Sequence, residues 1–154
     1  MNSTLDWTQN LILDEVSLAS LLARTRRVAV LGIKTEAQAG QPAFDVPRYL
    51  QQAGLDVVPV PVYYPDVQEI LSCKVYRKLV DIPGDLDLVD VFRRPQDLPA
   101  HVDDLLAKRP HAVWLQQGIR HDEVAEQLAR AGIRVVQDRC LMVDHRRLRG
   151  AGAL

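Results

Sequence analysis

The sequence predicts a single doubly wound α/β domain: a parallel five-stranded sheet with helices on both faces. Three observations predict it. The run Arg27-Val28-Ala29-Val30-Leu31 is β-branched and apolar and ends on Gly32, as suits a strand buried on both faces of a parallel sheet. Four further apolar runs of strand length follow, each separated from the last by a stretch with room for a helix. At 154 residues the chain suits one domain, a size that buries roughly 70 % of the surface its unfolded form exposes.

In chain order, residues 1–10 read as a mobile start, and residues 11–24 carry Leu11, Val16, Leu18, Leu22 and Ala23 in a helical pattern that should pack on the sheet. The first strand covers 28–33. After a polar loop over 34–41, an early proline, Phe44, Val46, Tyr49 and Leu50 near helical spacing, and Gly54 beyond them predict a helix over 42–53. The second strand, 56–62, contains Pro59 and Pro61; proline cannot donate to a central ladder, so this strand should be short and leave the sheet early. Residues 66–71 read as a short helix and 73–79 as a linker. In the third strand, 86–92, Leu86, Leu88, Val89, Val91 and Phe92 interleave with Asp87 and Asp90. A helix over 99–108, a strand over 112–116, a helix over 122–131 stopped by Gly132, and a strand over 133–137 follow. Asp138-Arg139-Cys140 then leads into a last helix ending near Leu148.

The 19 Lys and Arg against 20 Asp and Glu leave a formal charge of −1, so no global field steers the protein to nucleic acid or to an anionic membrane. Neither is expected as a partner. Cys73 and Cys140 stand far apart without a C-x-x-C spacing, which favours reduced thiols and a cytoplasmic location. No stretch approaches the ~20 apolar residues of a membrane span, and the N-terminus, with Asp6 and Asp14, lacks the basic start of a signal peptide. His101, His111, His121 and His145 show no metal-ligand spacing, so no metal is expected.

In such a sheet, ligands bind beyond the carboxyl ends of the strands, near the point where the strand order reverses. The segments 32–41, 61–65, 92–95, 116–119 and 138–140 should therefore lie together. They bring Lys34, Arg93, Arg94 and Arg139 to one crevice with few acids, a local basic rim on a neutral protein. A dinucleotide dehydrogenase fits poorly: G-x-G-x-x-G is absent, and Val60-Pro61-Val62-Tyr63 stands where an NAD protein places an acid for the ribose. No G-x-x-x-x-G-K-[ST] occurs either.

Several of these residues also have plain structural readings. Gly32 could serve only as a tight turn, Lys34 as a solvated lysine, and Arg93 and Arg94 as partners of Asp90 or Asp97. Tyr63 and Tyr64 could pack rather than face a ligand. Trp114 is expected in the core, Asp138 and Arg139 as a structural ion pair, and Asp122 and Glu123 as helix N-terminal charges.

The blocks Val28-Ala29-Val30-Leu31-Gly32, Val46-Pro47-Arg48-Tyr49-Leu50, Val89-Asp90-Val91-Phe92-Arg93-Arg94, Val113-Trp114-Leu115-Gln116-Gln117-Gly118-Ile119, and Asp138-Arg139-Cys140-Leu141-Met142-Val143-Asp144-His145 resemble the small stand-alone coenzyme A-binding proteins. These are related to the N-terminal CoA-binding domain of the succinyl-CoA synthetase α subunit. The resemblance implies a Rossmann-like fold that holds CoA or an acyl-CoA, with residues 27–149 as that domain, 1–26 as an N-terminal extension with a helix, and 150–154 as a tail. It puts Gly32, Ile33, Lys34 and Thr35 at the phosphates, Pro61, Val62 and Tyr63 on the adenosine side, and Arg93 and Arg94 on the rim that meets phosphate or adenine. Gln117 and Gly118 would border the pantetheine path, and Cys140, after the last strand, would lie along the same edge unless it is simply a core residue. The chain departs from the usual family pattern in its first loop, 34–41, and in Val62-Tyr63-Tyr64 after the second strand.

No Ser-His-Asp order, H-E-x-x-H motif or placed carboxylate pair emerges, so a binding module is expected. An enzyme using the same crevice, such as an NADP-dependent reductase with Arg93 and Arg94 on the 2′-phosphate, is the alternative. A vestigial crevice in a protein that works through a partner is a third reading. The acyl group and any protein partner are left open.

Overall fold

The computed structural model describes residues 6–154, so the expectation for the first five residues lies outside it. Its centre is a parallel sheet of β1 (Arg27–Leu31), β2 (Asp56–Val60), β5 (Leu88–Val91), β6 (Ala112–Leu115) and β7 (Arg134–Val136), in the order β2-β1-β5-β6-β7. The five expected strands are all present, and the fold is the expected Rossmann-like α/β domain. The order reverses between β1 and β5, which opens a crevice at their carboxyl ends.

Strand alternation sorts the core into two layers. Ala29, Leu31, Val89, Val91, Val113 and Leu115 face α3 (Val102–Lys108) and α4 (Asp122–Arg130). Val28, Val30, Leu88, Ala112 and Trp114 face α1 (Glu15–Arg24), α2 (Pro42–Gln52) and α5 (Leu141–Gly150). Trp114 is fully buried, as expected, and its indole N–H donates to the Arg139 carbonyl at 2.8 Å.

Three local expectations are corrected. The first helix begins later than residue 11, because the Asp14 side chain accepts the Ser17 N–H at 2.9 Å as an N-cap, while Leu11 pairs with Val135 at the sheet edge. Residues 66–71 hold no helix; Glu69–Ile70 (β3) and Cys73–Lys74 (β4) form a small antiparallel hairpin, turned through Leu71 and Ser72 at positive φ. The helix expected from residue 99 is a 3₁₀ segment, Pro95–His101, that becomes α-helical only at Val102, since Pro99 supplies no N–H to an α ladder.

Pro59 sits inside β2 without penalty because β2 is an edge strand. Its carbonyl accepts the Tyr76 N–H at 3.0 Å, which ties the hairpin region to that edge. Among the described residues no helix is long and apolar enough to cross a membrane, and no cluster of His, Cys, Asp and Glu could hold a metal ion.

Candidate functional site

The crevice at the β1/β5 switch point is a cavity of about 540 Å³. The loops after β1, β2, β5, β6 and β7 all reach it, so the five expected segments converge. Of the expected site residues, Gly32, Ile33, Lys34, Tyr63, Arg93, Arg94, Gln117, Gly118 and Cys140 line it, and Thr35, Pro61 and Val62 do not.

Gly32 ends β1 at φ +88°, with its N–H on the Val60 carbonyl at 2.8 Å. A Cβ there would lie 2.2 Å from the Phe92 carbonyl oxygen, so the protein's own backbone is what demands glycine. The Ile33 side chain is in the core, 1 % exposed, so only its backbone borders the cavity. Thr35 is taken up locally: its N–H and hydroxyl both donate to Gln38 Oε1, at 3.0 and 2.7 Å. Pro61 is buried, and Val62, though exposed, stands outside the lining.

The loop hands the chain to α2, whose first residue is Pro42, a residue without an N–H to lose. Ala43, next in line, borders the cavity, and neither its N–H nor that of Ile33 meets a partner among the described residues. Lys34 hydrogen-bonds through Nζ to Gln41 Oε1, across the mouth of this loop.

On the β5 side, Arg93 is largely buried. Its Nε donates to His101 Nε2 at 3.2 Å, its guanidinium lies 5.6 Å from the Tyr63 ring centroid, and its Nη2 is 3.6 Å from Asp97 Oδ2. Burial, reinforced by the Arg93 charge, holds the His101 pKa below its usual value, so the imidazole is neutral and accepts that bond. Arg94 is exposed and bonds Asp97 at 2.8 Å; this contact holds the Asp97 carboxyl below the usual range. The Tyr63 and Tyr64 carbonyls are gripped by Arg77 at 3.0 and 2.7 Å, with Tyr64 at φ +63°, so the tyrosine loop is fixed over the crevice.

The expected ion pair between Asp138 and Arg139 does not form. Asp138 accepts the Gly118 N–H at 2.7 Å, whereas Arg139 leaves the rim and donates a bidentate pair of hydrogen bonds to Asp144 at 2.6 and 2.9 Å. Burial of Asp144 opposes its ionisation, but the Arg139 and Arg147 bonds outweigh that and lower its pKa. The basic rim is therefore Lys34, Arg93 and Arg94, with Asp97 as its counter-charge.

Gln116 shows in the sequence only as the polar end of a strand. It follows β6, lines the crevice and is 4 % exposed. Its Oε1 accepts the Leu141 N–H at 3.1 Å, which fixes the orientation of the amide. Its nitrogen meets no partner among the described residues, yet the only side-chain atoms there fully enclosed without one are the two Asp90 carboxylate oxygens, so this amide N–H₂ opens onto the crevice. Phe92, Pro95, Ile119 and Tyr64 add apolar wall. The cavity thus joins a cationic mouth and free backbone donors to an apolar channel with one buried amide donor.

The sequence model of the CoA binding domain matches residues 26–146, a span that contains every residue lining the crevice. The chain is 30 % identical over 131 residues to the uncharacterized protein YneT of Bacillus subtilis, covering 85 % of this chain and 93 % of that one. Among solved structures, a protein of Thermus thermophilus is 42 % identical with a TM-score of 0.80, over 88 % of this chain and 99 % of the other. A hypothetical protein from Pyrococcus horikoshii is 30 % identical with a TM-score of 0.79, over 90 % and 94 % of the two chains. With its fold, its crevice and these matches in agreement, the chain belongs to the CoA-binding domain family.

Proposed function

We propose that this protein binds coenzyme A or an acyl-CoA in the switch-point crevice, as a non-catalytic binding module. The observation that carries this reading is the coincidence of the family match with the lining of the cavity. The parts of the crevice suit the parts of such a ligand. Phosphates would meet the free N–H groups of Ile33 and Ala43, Lys34, and the N-terminus of α2. The adenine would lie against Tyr63 and its stacked Arg93, and the amide-bearing arm would run past Gln117 and Gly118 towards Gln116. No acid stands after β2 to take the ribose hydroxyls of NAD, where the chain reads Val60-Pro61-Val62.

Parallel isothermal titrations with CoA, acetyl-CoA, NAD and NADP test this. CoA or acetyl-CoA binding without either dinucleotide is expected; binding of NADP alone would replace this reading with that of a reductase. Arg93→Ala is expected to weaken CoA binding by roughly 1.5–3 kcal/mol, the worth of a charge-assisted bond, or tenfold and more in Kd. Exposed Arg94 acts through a screened charge, so Arg94→Ala should chiefly flatten the salt dependence of binding. Unchanged CoA affinity in the double variant at low salt would remove both arginines from the site.

A further inference from the structure

We propose that the end of the crevice between β6 and α5 is a thiol-exchange site, where Cys140 forms a mixed disulfide with the thiol end of the bound ligand. This rests on the reading that the ligand is coenzyme A. Cys140 borders the cavity, half-buried, as the residue that caps the N-terminus of α5. Serine, threonine, aspartate or asparagine would cap that helix through a side-chain oxygen, and the Cys140 sulfur makes no such bond. A capping serine differs by one atom. What cysteine adds at this position is a nucleophilic sulfur on a residue that borders the cavity while packing against the core.

The position of Cys140 is rigid. Trp114 holds the Arg139 carbonyl, Arg139 is clamped to Asp144, the Asp144 N–H donates to the Cys140 carbonyl at 3.1 Å, and Gln116 Oε1 holds the Leu141 N–H. An independent observation points to a ligand at the same place: the Gln116 amide nitrogen, on a cavity-lining residue 4 % exposed, has no hydrogen-bond partner among the described residues. It can only donate, so its natural complement is a carbonyl. An arm that carries amide carbonyls and ends in a thiol supplies both what Gln116 lacks and what Cys140 can react with.

The co-reactant is a disulfide of the ligand. After the Cys140 thiol gives its proton to solvent, the thiolate attacks one sulfur of the CoA disulfide. The S–S bond of the reagent breaks, Cys140–S–S–CoA forms, and the second CoA leaves as a thiolate that takes up a proton. The Cys140 sulfur is oxidised by one equivalent and the departing CoA is reduced by one. A dithiol reverses the step.

Cys73 is the internal control. It lies outside the cavity, and its sulfur is engaged by the Leu71 carbonyl and the Gln51 amide, both at 3.4 Å. Burial, with Asp56 nearby, raises its pKa and disfavours its thiolate.

The test incubates the full chain with CoA disulfide and, separately at equal concentration, with hydroxyethyl disulfide, and follows adducts by intact-mass and peptide mass spectrometry. Isothermal titration with CoA runs alongside. The expected result is one dithiothreitol-reversible CoA adduct on Cys140, formed about tenfold or more faster than the hydroxyethyl adduct because binding raises the local concentration of the reagent. Cys140→Ser should lose the adduct and Cys73→Ser should keep it. Gln116→Glu, which retains the acceptor for Leu141 but loses the donor, should slow the CoA reaction and leave the hydroxyethyl reaction nearly as it was. CoA that binds yet leaves Cys140 unmodified, modifies Cys73 instead, or reacts no faster than hydroxyethyl disulfide overturns the exchange site alone. Absence of CoA binding heat overturns the binding reading itself, and this proposal with it.

Discussion

Gly32→Ala is expected to destabilise the protein by about 2–5 kcal/mol, a large share of the 5–15 kcal/mol typical of a folded domain, and to weaken CoA binding with it. Two costs add. Alanine in the left-handed region occupied at φ +88° costs about 1–2 kcal/mol. Its Cβ would also sit 2.2 Å from the Phe92 carbonyl oxygen and 3.0 Å from the carbonyl carbon, which are backbone atoms at the end of a central strand. Relief requires β1 and β5 to part at their carboxyl ends, a change of the overpacking kind worth about 1–3 kcal/mol. Gly118→Ala isolates the first cost. Gly118 has φ +85° but nothing within 4 Å of the added carbon, so it should lose only the conformational share. Urea denaturation of the two variants decides the matter: equal midpoints would mean that the β1/β5 approach is not what requires glycine at residue 32. The same approach explains the crevice, since the strands come close enough at Gly32 that only the following loops can diverge.

Most of this architecture was legible because the strands are short apolar runs and the breakers between them are unambiguous. Val28 to Leu31 and Val113 to Leu115 are apolar on both faces, as central parallel strands must be. The prolines of β2 announced an early exit from the sheet, and the strand does stop at Val60. The hairpin of β3 and β4 left no such trace: its turn places Leu71 and Ser72 at φ +55° and +60°, where the usual signal is Asn-Gly. The meeting of loops at the crevice followed from topology, but side-chain commitments did not. Whether Arg139 points to the rim or to Asp144, and whether Thr35 is free or holds Gln38, depends on neighbours one turn of helix or one loop away. Gln116 looked like the polar end of a strand; its value lies in having one half of its amide committed and the other half free, which only the packing of α5 against β6 creates.

Asp90 is the residue whose sequence reading was furthest from its environment. Its neighbours Arg93 and Arg94 suggested a surface pair, but alternation along β5 puts it with Leu88, facing α1, α2 and α5, in register with Val30 on one side and Trp114 on the other. It is fully buried, and neither carboxyl oxygen has a hydrogen-bond partner among the described residues. Burial alone pushes its pKa well above the ordinary carboxyl value, so the folded protein holds it protonated where the unfolded chain, with a pKa of about 3.9, releases the proton. The unfolded state therefore binds fewer protons than the folded one, so this group's contribution is fully present below about pH 4 and is lost as pH rises towards the folded pKa. Within that window the slope approaches ~1.4 kcal/mol per pH unit. Asp144, whose pKa is lowered, contributes the opposite trend below pH 4 and must be subtracted. Comparison with Asp90→Asn does this, because the amide keeps the shape and cannot ionise. The difference in unfolding free energy between Asp90→Asn and the parent, from urea titrations between pH 4 and 8, should grow steadily in favour of the variant as pH rises. Asp90→Val should also gain about 1–3 kcal/mol near neutral pH by removing an unsatisfied polar group from the core, so long as the larger side chain fits beside Trp114. A difference that stays flat across the range would show that Asp90 does not hold a proton in the folded state.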